Sequence, residues 1–126
     1  MKHLVFFTLP ICFLICLNAC SNSKQAKAIQ GSWNFTQTRS SNSPNNSPMS
    51  STLTWKFDEG NFSIDGYPPL FQKGKYRVLT VSDSLIQLKL IQQTGDLSTE
   101  DRSIKITLHQ NGQISIDNQG PFQKIK

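Results

Sequence analysis

The chain has 126 residues, 37% of them hydrophobic, and carries 13 Lys and Arg against 8 Asp and Glu, a net charge of +5 at pH 7. That length supports one hydrophobic core rather than several, and the modest basic excess points to anionic surfaces before nucleic acid. With three cysteines and two histidines in the whole chain there is little from which to build a metal or catalytic centre, so neither an enzyme nor a metal or cofactor is expected.

Lys2 and His3 precede an apolar run from Leu4 to Leu17, broken by Thr8 and Pro10. Crossing a bilayer takes about 20 apolar residues, so this run has the length of a signal-peptide core instead. It ends in Leu17-Asn18-Ala19-Cys20, which resembles the lipobox of bacterial lipoproteins: an aliphatic residue, a tolerant position, a small residue, then the cysteine that is lipidated. By itself the run also suits an uncleaved anchor helix or a secretory signal cut nearby; the cysteine directly after Ala19 favours the lipoprotein leader.

The resemblance implies a leader over residues 1–19 and a diacylglyceride on Cys20. Cys12 and Cys16 leave with the leader, so the remaining chain has no disulfide and must be held by its core. Two or three acyl chains, at about 0.8 kcal/mol per buried methylene, make a durable anchor. Residues 20–28 read as the lipidated cysteine and a flexible tether. Ser21, rather than an aspartate, and the lack of an acidic cluster behind Cys20 imply an outer-membrane protein that faces the periplasm.

From Ile29 onward the pattern is β throughout, and the folded domain is expected over residues 29–126. Gly31 to Thr38 alternates, with Trp33 and Phe35 on one face, and Arg39 to Ser51 is a polar loop with nothing to pack. Thr52 to Phe57 points Leu53, Trp55 and Phe57 inward. A three-residue turn, Asp58-Glu59-Gly60, leads to Asn61–Ile64 with Phe62 and Ile64 inward. Pro68 and Pro69 interrupt the pattern. It resumes over Gly74–Leu79, with Tyr76 and Val78 inward, and turns at Ser82–Ser84. Ile86 to Leu90 is the next strand, followed by a polar loop from Gln92 to Glu100. Ser103–Leu108 and Gln113–Ile116 flank the hairpin dipeptide Asn111-Gly112. A last turn at Gln119-Gly120-Pro121 precedes Phe122–Ile125.

About eight short strands with one apolar face, and no helix to cover it, argue for an all-β antiparallel up-and-down barrel; a β-sandwich is the alternative. Gly31-Ser32-Trp33 at the head of the first strand resembles the Gly-x-Trp signature of lipocalins. With Phe57-Asp58-Glu59-Gly60, Gly74-Lys75-Tyr76 and Phe122-Gln123-Lys124 in order, residues 29–126 resemble the short lipocalin-like domains of bacterial lipoproteins, notably in Bacteroidota. The chain departs from full lipocalins in its shortness, in lacking Thr-Asp-Tyr and in having no helix after the last strand.

The resemblance and the leader imply an envelope protein, and the scarcity of catalytic residues makes it non-catalytic; a monomer is expected. Its partners are the membrane, through Cys20, and a small apolar or amphipathic ligand or else another envelope protein, which it could inhibit. If the barrel is hollow, Trp55, Phe57 and Tyr76 would face the ligand; if it is filled, they and Trp33 are core. On the outer face Lys73, Lys75 and Arg77 alternate along one strand and form a cationic patch, or else a solvated face that discourages edge-to-edge aggregation. His109 stands alone beyond the leader, and no Gly-x-Ser-x-Gly, His-Glu-x-x-His or phosphate loop occurs.

Overall fold

The computed structural model of the chain describes residues 26–39 and 49–125. Residues 26–28 form a short helical turn, and every other regular element is a strand: β1 (Gly31–Arg39), β2 (Met49–Asp58), β3 (Asn61–Tyr67), β4 (Leu70–Val81), β5 (Leu85–Gly95), β6 (Arg102–Leu108), β7 (Ile114–Ile116) and β8 (Gln119–Ile125). Each strand pairs antiparallel with the next, and β8 returns to β1 through Ser32–Ile125, Trp33–Lys124 and Asn34–Gln123. The sheet is therefore a closed up-and-down barrel, and the sandwich alternative is discarded. The expected leader, the expected lipobox with Cys20 and the expected tether up to residue 25 lie outside the described residues, as do positions 40–48 of the expected polar loop.

Closure follows from the alternation of side chains. Leu53, Trp55 and Phe57 on β2, Phe62 and Ile64 on β3, Ile86, Leu88 and Leu90 on β5, and Ile104 and Ile106 on β6 point into one core with Trp33, Tyr76, Ile114, Ile116 and Phe122. Among the described residues no layer of helices covers that face, and it is buried by curling the sheet on itself. An eight-stranded barrel has an interior just wide enough for side chains to fill.

Two irregularities reset the alternation. Between Lys73–Thr94 and Lys75–Ile91 the β5 side carries an extra residue, and Gln92 there has φ 50°. An added residue swaps the faces of everything beyond it, which brings Gln93 inside instead of Gln92. Between Val78–Leu88 and Thr80–Gln87 the extra residue is on β4. There the expected inward Val78 is left 39% exposed, and Val81 takes the inner position near the end of the strand.

Several expected boundaries move. The polar loop predicted from Gln92 begins only after Gly95, because the bulge lets β5 continue. The β2–β3 turn is tighter than expected: Asp58 pairs with Asn61, leaving Glu59 (φ 44°) and Gly60 (φ 85°) as a two-residue loop of left-handed residues, the geometry that matches the twist of paired strands. The last turn falls on Asp117 and Asn118, also left-handed, while Gln119 to Pro121 belong to β8. Asn111-Gly112 sits in a wider loop closed by His109 N–H donating to the Gln113 carbonyl, and the Asn111 Oδ1 accepts from the Gln113 N–H. Pro68 and Pro69 form the two-residue tip between β3 and β4, where neither needs to donate to the ladder.

Candidate functional site

At the end of the barrel where β1 begins, the chain plugs its own opening. Ile29 is fully buried, and its carbonyl accepts from Trp33 Nε1–H at 2.8 Å. Gln30 donates from Nε2 to the Tyr76 hydroxyl at 2.7 Å and accepts at Oε1 from the Glu59 N–H at 2.8 Å, which ties the entry of β1 to the β2–β3 turn. Lys124 lays its stem past Gly31 and holds its ammonium 5.7 Å from the centre of the Trp33 ring.

Trp55, Phe57 and Tyr76, the predicted ligand contacts, are brought together deep in the interior. Trp55 stacks on Phe57 (5.7 Å between centroids) and on Phe62 (6.0 Å), and Phe57 meets Tyr76 edge-on at 5.6 Å. These offset and T-shaped contacts are the ones aromatic quadrupoles favour, so the rings satisfy one another as core. The Trp55 indole N–H is the one buried polar side-chain atom among the described residues that lacks a partner.

At the opposite end, two glutamines that sequence reasoning overlooked close part of the mouth. Gln72 is fully buried; its Nε2 donates to the Ser98 carbonyl (3.1 Å) and to Gln93 Oε1 (3.4 Å), and its Oε1 accepts from the Leu97 N–H (3.0 Å). Gln93 donates to the Glu100 carbonyl. Buried polar groups persist only when bonded, and here the bonds hold the 96–101 loop across the barrel end. Beside it a recess of about 190 Å³ remains, bounded by the half-buried Phe35, Leu53 and Leu70 and by Tyr67.

The outer wall carries the charge. Lys73, Lys75 and Arg77 all point outward from β4, as expected, but they do not act as one group. Lys73 and Lys75 border an external groove of about 490 Å³ together with Lys56 of β2, which sequence reasoning missed; Arg77 lies outside it, opposite Lys89 of β5. Lys56 and Lys73 both pair with Ser63, a juxtaposition that exists only once β3 is threaded between their strands.

His109 Nε2 lies 2.7 Å from Ser115 Oγ across the β6–β7 hairpin. The pair is exposed and no carboxylate among the described residues orients the ring, so the arrangement serves as a tie between strands, without the third group of a nucleophilic triad among them. Among the described residues no three His, Cys, Asp or Glu side chains are grouped to hold a metal. Comparison of the chain with protein-family models, with curated proteins and with solved structures gives no match.

Proposed function

We propose that the chain is a non-catalytic lipoprotein of a bacterial cell envelope, anchored through Cys20 to the outer membrane and facing the periplasm, whose barrel works through its outer surface on another envelope component. The observation that carries this reading is the interior: fifteen apolar side chains and two bonded glutamines occupy it, and the three rings expected to greet a ligand are engaged with one another. A domain filled by its own side chains recognises what touches its wall. Likeness to lipocalins supports the scaffold alone, since one fold hosts many functions.

A second reading, an amphipathic ligand at the mouth, is favoured by the recess at Phe35, Leu53 and Leu70. Pockets for small molecules commonly enclose about 300–1,000 Å³. At about 190 Å³ the recess itself accepts only the tip of an acyl chain, and the rest of a ligand would lie in the open hollow of about 530 Å³ that shares Gln37, Ser51, Tyr67 and Pro68 with it.

Native mass spectrometry of residues 20–126 carrying Cys20→Ser, exported behind a cleavable secretory signal and purified from its host's periplasm, decides between the two. A bare protein after exposure to membrane extract is the expected result. A reproducible extra mass that leaves on denaturation overturns the filled scaffold in favour of the mouth. For the anchor, the unaltered chain is expected in the membrane fraction with incorporated palmitate, and the Cys20→Ser chain is expected to incorporate none.

A further inference from the structure

Charge is segregated over this barrel. β4, β5 and β6 carry Lys73, Lys75, Arg77, Lys89, Arg102 and Lys105 and no acidic residue, whereas the acids of the described chain fall mostly in turns. Arg77 stands directly opposite Lys89, an arrangement that costs stability unless something anionic approaches. Among the described residues the one ion pair is Arg102 with Asp117 at 3.9 Å, so no carboxylate lies within 4 Å of Lys56, Lys73 or Lys75.

The groove at the edge of this basic face has the form of a site. Lys56 and Lys73 flank Ser63 on the two neighbouring strands, which sets their backbones roughly 10 Å apart, and Lys75 follows Lys73 at about 7 Å along β4. Asn61 and Ser63 of β3 add polar side chains between the strands of the cations, Thr94 lies beyond Lys73 on β5, and Asp58 closes one edge. The floor reaches Gly74 and Phe62, beside the bulge at Gln92. Phe71, 45% exposed, forms an apolar wall at one side.

Three ammonium groups and one carboxylate give the lining a net charge of +2. A carboxylate ligand would leave half of that unanswered, while a phosphate monoester carries about −1.5 to −2 at pH 7 and three acceptor oxygens. We infer that this groove binds a phosphomonoester, with Lys56, Lys73 and Lys75 around the phosphate, Asn61, Ser63 and Thr94 donating to its oxygens, and the apolar part of the ligand against Phe71. The inference rests on the reading that the barrel works through its outer surface; it does not require the lipid on Cys20.

The test uses isotope-labelled residues 20–126 carrying Cys20→Ser, titrated with glycerol 3-phosphate while backbone amide shifts are followed. Saturable shifts at Asn61, Ser63, Lys73, Lys75 and Thr94 are expected, and each of Lys56→Gln, Lys73→Gln and Lys75→Gln should weaken binding about three- to tenfold, in line with a charge-assisted contact at an exposed site. Lys105→Gln should leave it unchanged. All four side chains are exposed, so the variants retain the fold, which circular dichroism checks.

Co-sedimentation with phosphatidylcholine vesicles, with and without phosphatidic acid, separates the sources. Binding to the soluble ester as well as the vesicles identifies a free metabolite-sized ligand, and binding to phosphatidic acid vesicles alone identifies a headgroup; both support a phosphomonoester site. Shifts that never saturate and spread over Lys89 and Lys105 overturn it, as does an unchanged affinity in the triple Gln variant. Tighter binding of a polyglutamate peptide overturns it in favour of an acidic protein. Shifts confined to Phe35, Leu53 and Leu70 would instead defeat the outer-surface reading itself.

Discussion

Replacing Gln72 by Met keeps the side-chain volume and removes every hydrogen bond that it makes. The change strands the Leu97 N–H, the Ser98 carbonyl and Gln93 Oε1. Leu97 and Ser98 belong to an exposed loop, so water recovers part of their loss, and each of those two bonds is worth about 1 kcal/mol. Gln93 is 4% exposed and water reaches it poorly; its 3.4 Å contact is long, so it adds at most about another 1 kcal/mol. The expected loss is therefore about 2–3 kcal/mol, which in a domain of this size lowers the melting midpoint by roughly 8–24 °C. Denaturant melts followed by circular dichroism give the global figure. Hydrogen exchange gives the local one: the Leu97 amide should lose protection before the β5–β6 ladder does, because the loop is held at the mouth by these bonds. A loss below about 0.5 kcal/mol, or an unchanged Leu97 exchange rate, would refute the assignment of Gln72 as the latch of the 96–101 loop.

Three further perturbations have definite outcomes. Gly95→Ala should destabilise by at least about 2 kcal/mol in a urea melt, because φ there is 138° and a Cβ would press on the Phe71 carbonyl and the Gln72 side chain. Glu59→Asn should raise stability by about 0.5–1 kcal/mol in the same assay, since it places Asn-Gly at two left-handed positions and leaves the backbone N–H bonded to Gln30. Lys89→Glu converts a like-charge pair with Arg77 into an attractive one; about 0.5 kcal/mol of stabilisation is expected at low salt, and it should fade when melts are repeated at 1 M salt, where screening acts within about 3 Å.

The barrel was legible in the sequence wherever alternation ran unbroken. β2 and β6 each display their inward residues at strict two-residue spacing, and eight such segments without a covering helix leave closure as the natural solution. Reading failed where the phase changed. Nothing in Ile91-Gln92-Gln93-Thr94 announces which residue is the extra one, so a run of polar residues looked like loop when it is strand with one glutamine turned inward. Gln72 was overlooked for a related reason: a polar residue at an inward position has meaning only once its partners from the 96–101 loop are known. The site residues divide the same way. Lys73 and Lys75 share a strand, so their common face could be read locally. Their association with Lys56 is set by register across β3, which no local pattern contains.

The distribution of residue types between the two faces also explains why a functional reading should look outward. Inward positions on β2, β3 and β5 are filled by Trp55, Phe57, Phe62, Ile64, Ile86, Leu88 and Leu90, so a small barrel is left with side chains in its centre. The bulge at Gln92 sits at the boundary of both surfaces. On the inner side Gly74, across from it, has room for no Cβ, because Phe62 Cε1 and the Ile91 carbonyl lie 2.9 and 2.8 Å from where one would be. On the outer side the same stretch of β4 and β5 forms the floor beneath Lys56, Lys73 and Lys75. The close approach at Gly74 within and the floor of the charged depression without thus meet at one backbone irregularity. A substitution that repaired the alternation at Gln92 would have to disturb the core and the groove together.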